Sequence, residues 1–303
     1  MSQPESPLFV WHEDQALFLA ALGFTAQMTT FTPRLVEKDY YCSVLLEYLT
    51  RGSPTLVFKG GTCLAKIHAD FYRLSEDLDF VISMAVDSSR DDRSKRVKDL
   101  KDIVKALPER LPGFRFHIVE SLTGANHSTQ YNAIIGYPSM ISKKEETIKV
   151  EVGLREPLFL PQETGMAKTL LLNPGTAKPL CEPFALHCIS QGEAFAEKFR
   201  AALSRREAAV RDFFDIDFAV RHLGLQPQDG GLVELVRRKL AIPGNEPVDV
   251  SSDRLAQLRQ QLDRELKTVL RERDFREFDL ERAFKIVKDV AVRLCLAAQS
   301  KRP

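Results

Sequence analysis

The five cysteines, Cys42, Cys63, Cys181, Cys188 and Cys295, form no C-x-x-C pair, which excludes zinc-ribbon and dithiol redox motifs. They read as reduced thiols filling a core, as in a cytoplasmic protein. No apolar run is long enough to cross a bilayer, and Met1–Pro7 lacks the basic and apolar regions of a signal peptide. Repeats and low-complexity segments are absent too, which excludes solenoids and disordered tails. The net charge of +1 gives no global signal for nucleic acid. His68, His117, His127 and His187 have no ligand spacing and are assigned no role.

What is present suits a globular chain. The 303 residues are 44% hydrophobic and 28% charged, enough to bury a core without disulfides. Residues 12–23 and 34–50 are expected to be helical. A short strand follows at 55–59, then a Gly-Gly turn and a helix over 62–71, then a strand at 77–83. A charged helix at 91–110 precedes strands at 114–120, 130–137 and 147–153, with a turn at 123–126. From about residue 185 the pattern is helical: Ser190 to Glu193 reads as a capping box, helices follow at about 207–222 and 252–270, and the last spans about 277–298. The expected class is therefore α/β of the α+β kind, a mixed sheet with flanking helices followed by a helical domain. The boundary is placed at Asn173-Pro174-Gly175, giving domains 1–175 and 176–303.

The chemistry concentrates in Asp77-Leu78-Asp79-Phe80. Alternate strand residues share a face, so Asp77 and Asp79 point one way and Leu78 and Phe80 the other. Two carboxylates about 4 Å apart at an effective dielectric of about 20 repel by about 4 kcal/mol, which a bound cation would relieve. Hard oxygen ligands without adjacent His or Cys favour Mg²⁺ or Mn²⁺. Solvated acids at a strand end are the bland alternative, and context argues against it. Upstream, Gly60 and Gly61 join a strand to a helix opening at Thr62. There phosphate oxygens can approach the backbone and helix N–H groups, and the Thr62 hydroxyl is expected to donate to them. In Ile148-Lys149-Val150-Glu151-Val152 the valines share the buried face, so Glu151 projects opposite as a third acid. Three acids and two cations would grip a triphosphate and ready an attacking hydroxyl.

These residues resemble a known family. Glu37-Lys38-Asp39-Tyr40, Val57 to Lys66 with Lys59-Gly60-Gly61-Thr62, and Arg73-Leu74-Ser75-Glu76-Asp77-Leu78-Asp79 resemble the AbiEii/AbiGii nucleotidyltransferase toxins, of the DNA polymerase β-type superfamily. Ala196 to Leu203 with Arg206 and Arg211-Asp212-Phe213-Phe214-Asp215 resembles that family's second signature. The resemblance covers roughly residues 35–220. It implies a magnesium-dependent toxin of the abortive-infection type, encoded beside an antitoxin, that transfers a nucleotide from NTP to an RNA, with the tRNA 3′ end as the expected acceptor. By motif, Gly60, Gly61 and Thr62 would hold the triphosphate, Asp77 and Asp79 the metal, and Lys198 a phosphate, with Asp212 in or near the site. Lys66 is placed with the nucleotide-binding residues, although pairing with an acid is an equal reading. Arg73 and Glu37-Lys38-Asp39 read as structural. A protein or small-molecule acceptor, or a non-catalytic partner-binding module, are the alternatives.

Overall fold

A computed structural model describes residues 8–299; the expectation for Met1–Pro7 lies outside the described residues. The chain divides into two compact units, residues 1–189 and 190–303.

In the first unit, helix α1 (Gln15–Thr29) is capped by Asp14, whose side chain accepts from the Leu17 N–H, and ends on left-handed Thr30. Helix α2 (Pro33–Gly52) starts with Thr32 as N-cap and Pro33 at its first position, a residue pre-set for a helix start. Strand β1 (Val57–Lys59) leads into the single turn α3 (Gly60–Cys63), which continues as a π-helical turn at Leu64–His68. Strand β2 (Leu78–Val81) is followed by α4 (Arg90–Arg96) and α5 (Lys98–Arg110). Strands β3 (His117–Ala125), β4 (Gln130–Pro138) and β5 (Glu145–Gly153) form an antiparallel meander, and β6 (Glu163–Ala167) and β7 (Phe184–Cys188) complete the set. The seven strands form one mixed sheet in the order β3-β4-β5-β2-β1-β7-β6. β1 is antiparallel to β2 and parallel to β7, while β2 is parallel to β5.

Three expectations need correction. The boundary placed at 173–175 falls inside the β6–β7 hairpin, where Asn173 Oδ1 accepts from the N–H groups of Gly175 and Thr176; the units divide at 189/190 instead. Residues 184–188 form a strand where helix was expected, because pairing with β1 and β6 decides a short segment without β-branched residues. The β3–β4 turn also lies later than expected, at left-handed Asn126, His127 and Ser128.

Helix α2 is buried nearly all round, including Glu37, Lys38 and Asp39. Each of these charges ties down a different segment. Glu37 accepts from Ser139 Oγ (2.5 Å) and the Met140 N–H (2.6 Å), holding the β4–β5 turn. Lys38 Nζ donates to Glu76 (2.7 Å), beside the acid pair. Asp39 pairs with Lys66 Nζ (2.5 Å) and accepts from the Leu170 N–H (2.9 Å). Buried charges are tolerated only when paired in this way.

The second unit is helical: α6 (Gln191–Ser204), α7 (Val210–His222), α8 (Gly230–Leu240), α9 (Ser252–Gln261) running into a π turn at Leu262–Leu266, α10 (Glu272–Glu277) and α11 (Leu280–Gln299). Ser190 caps α6 by accepting from the Glu193 N–H, while the Glu193 carboxylate pairs with buried Lys239 (2.6 Å).

Asp39→Ala would strand the Lys66 ammonium, which is 1% exposed. Urea unfolding should report a loss of about 3–5 kcal/mol. Adding Lys66→Met should recover part of it; a single-variant loss below about 1 kcal/mol contradicts this assignment.

Candidate active site

The site forms where the central strands align. Lys59 of β1 stands opposite Asp79 of β2, Asp79 is in register with Glu151 of β5, and Glu151 with Asn132 of β4. These four residues therefore share one sheet face. Leu78, Phe80, Val150 and Val152 are buried on the other, as alternation required. Asp77 sits one residue before β2, just outside the strand expected for it.

The chain bends at Gly60, whose φ of +76° is a left-handed conformation suited to glycine. The bend packs directly against the acid pair: a β-carbon on Gly60 would lie 2.2 Å from Asp79 Oδ2. Gly61 is equally hemmed in, since a β-carbon there would lie 2.4 Å from Arg73 Nη2 and 3.1 Å from Ser75 Oγ. Thr62 Oγ1 donates to the Asp77 carbonyl at 2.5 Å. A hydroxyl has one proton. The Thr62 proton therefore positions the backbone of Asp77, and the expected donation from this hydroxyl to a phosphate is not what the bend provides.

Lys149, two residues before Glu151 on the same face, was not singled out from sequence. Its Nζ lies 2.8 Å from Glu151 Oε2. Burial alone would lower the Lys149 pKa, but the Glu151 hydrogen bond and the charges of Glu151, Asp77 and Asp79 outweigh it and raise it. A cationic group thus already sits in the field of all three acids. The same period-two rule that selected Glu151 could have found it. Beside the site, Glu76 is held by Lys38 and Arg34; burial opposes its ionisation, yet their hydrogen bonds and charges lower its pKa.

Other residues fall elsewhere. Lys66 Nζ is bound by Asp39 Oδ1 and Ser43 Oγ (2.7 Å), so it belongs to a buried network and the phosphate reading is corrected to the structural one. Arg73 is 2% exposed and donates to the Leu74 carbonyl, as a structural residue would. In the second unit, Lys198 bridges Asp212 (2.9 Å) and Asp215 (2.8 Å), and Arg205 takes the other oxygen of Asp212. Burial opposes ionisation of Asp212, but Lys198 and Arg205 lower its pKa. Both oxygens of Asp212 are thus paired, and the residue is 4% exposed.

A model of the family described as nucleotidyl transferase AbiEii toxin, type IV toxin–antitoxin system, matches residues 45–286. The chain belongs to this family of nucleotidyltransferases. No curated protein matches. Among solved structures, a Helicobacter pylori protein described as a candidate nucleotidyltransferase is 15% identical, with a TM-score of 0.42, covering 93% of this chain and 98% of its own. JHP933, also from Helicobacter pylori, is 16% identical at a TM-score of 0.42, covering 95% and 96%. No helix of the described residues is long and apolar enough to cross a membrane.

Gly60→Ala should displace the Asp79 carboxylate and strain the bend. Because misplacement by about 1 Å can cost about 100-fold, nucleotide transfer should fall by at least that much. Gly23→Ala, in α1 with nothing within 4 Å of the added carbon, should leave transfer unchanged and slightly raise the melting temperature. Equal activity of Gly60→Ala and wild type would contradict the packing of bend against acid.

Proposed function

We propose that this chain transfers a nucleoside monophosphate from an NTP to a hydroxyl of RNA, with the 3′ end of tRNA as acceptor. The observation that carries this reading is the contact between the Gly60 bend and Asp79. It supports a phosphate-binding backbone and metal-ligating carboxylates meeting at one point, as nucleotide transfer requires.

The donor set fits a hard divalent cation. Asp77, Asp79 and Glu151 offer only oxygen, which matches Mg²⁺ or Mn²⁺. The ammonium of Lys149, paired with Glu151, lies in the field of all three acids, which supports a site that favours positive charge. A bound cation would supply polarisation of the phosphates and activation of the attacking hydroxyl. Asp77 and Asp79 would hold it. Glu151, now paired with Lys149, would be the third ligand. Gly60, Gly61 and Thr62 would cradle the triphosphate through their backbone, with the Thr62 side chain fixing Asp77. Lys198 is held by Asp212 and Asp215 within the second unit. The type IV toxin–antitoxin membership supports an antitoxin as protein partner.

The test incubates purified protein with Mg²⁺, each labelled NTP in turn, and total tRNA. Label should enter RNA with wild type. Asp77→Ala and Asp79→Ala should each lose more than the roughly 10–100-fold that an outer-shell change costs. Label on a protein band in place of RNA would overturn the acceptor and keep the chemistry. Transfer that is indifferent to both substitutions and to chelation would overturn the site itself.

A further inference from the structure

A second cluster of ligand groups lies just behind the phosphate bend. Cys63, the residue after Thr62, Cys188 at the end of β7, and His68 at the end of the π-helical turn gather their ligand atoms within 4.8 Å of one another. Both cysteines are fully buried. Nothing in the spacing of these residues along the chain announces the cluster. It exists because β7 pairs with β1, bringing Cys188 into register with Phe58, two residues before the bend.

We propose that Cys63, Cys188 and His68 form a binding site for a thiophilic divalent cation of the zinc class, with Glu163 opposite Cys188 on the neighbouring strand. The inference is independent of the transfer reaction.

Four observations carry it. First, two sulfurs and an imidazole are the donors that select zinc over magnesium or calcium. Second, the spacing is close to that of a filled site. Sulfur ligands around tetrahedral zinc stand about 3.8 Å apart, so side-chain adjustments of about 1 Å close the set. Third, the imidazole is oriented as a ligand would be. His68 Nε2 lies 3.0 Å from the Ile189 carbonyl. An N–H donated to a backbone carbonyl turns the other ring nitrogen, Nδ1, to the ligand side, the usual outer support of a metal-bound histidine. Fourth, Glu163 of β6 is directly opposite Cys188 in the strand register, and its charge acts on both Cys188 and His68. The strand makes room for the thiol at Gly165, where a β-carbon would lie 2.8 Å from Cys188 Sγ.

An ion there would tie three segments together: the first turn after β1, the π-helical turn that continues it, and the end of β7. It would rigidify the Gly60–Thr62 bend from behind without touching substrate.

The full chain is purified under reducing conditions, loaded with Zn²⁺, dialysed against a chelating resin and assayed for metal. In parallel it is loaded with Co²⁺. Wild type should retain about one zinc per chain. The cobalt form should show near-ultraviolet thiolate-to-cobalt charge transfer and the intense visible bands of a tetrahedral ion. Cys188→Ser and Cys63→Ser should each weaken the charge-transfer band, and His68→Ala should weaken zinc binding by more than the roughly 10–100-fold typical of losing only a supporting hydrogen bond. Asp79→Ala should keep both zinc and the band, which separates this site from the nucleotide site. If the cysteine variants fail to fold, the wild-type cobalt spectrum decides alone. Failure of wild type to retain zinc together with an absent thiolate band would overturn the proposal, as would a Cys63–Cys188 disulfide found by peptide mapping in protein that takes up no metal.

Discussion

The contact between the Asp79 carboxylate and the Gly60 backbone is the constraint on which the candidate site depends. It requires a residue without a side chain at position 60, and it requires β1 and β2 to pair antiparallel so that Lys59 meets Asp79. The parallel pairing of β2 with β5 then brings Glu151 to the same row. Like charges on neighbouring strands repel. The protein meets this with an ammonium, Lys149, in the field of all three acids.

A buried helix carries the frame. In α2, consecutive Glu37, Lys38 and Asp39 reach three separate segments: the β4–β5 turn, Glu76 beside the acid pair, and the π-helical turn through Lys66. Consecutive helical residues point about 100° apart, so one triplet can serve three directions. Charges in these places stabilise little over apolar packing, but removing any one partner leaves another uncompensated. Lys38, through Glu76, ties down the strap from Arg73 to Asp77.

Much of this was legible in advance because period-two alternation is local. Leu78 and Phe80 inward with Asp79 outward, and Val150 and Val152 inward with Glu151 outward, follow from neighbouring residues alone. The Gly-Gly bend was legible for the same reason. Partners were not legible. The Thr62 hydroxyl and the Lys66 ammonium bond Asp77, Asp39 and Ser43, which lie between 15 and 27 residues away. The strands at 163–167 and 184–188 escaped because neither has the β-branched run that marks a strand on its own; pairing makes them strands.

The sequence by itself determined the order of strands and helices around the acids, the side of each strand that carries charge, and the bend that only glycine tolerates at φ +76°. Those properties depend on residues within a few positions of one another. Only the tertiary structure decided that Lys149 pairs with Glu151 in the field of the other acids, that Lys66 turns inward, and that Cys63, His68 and Cys188 converge. Each of these depends on strand register or helix packing between distant segments, which the free energy of the whole core selects and no local pattern encodes.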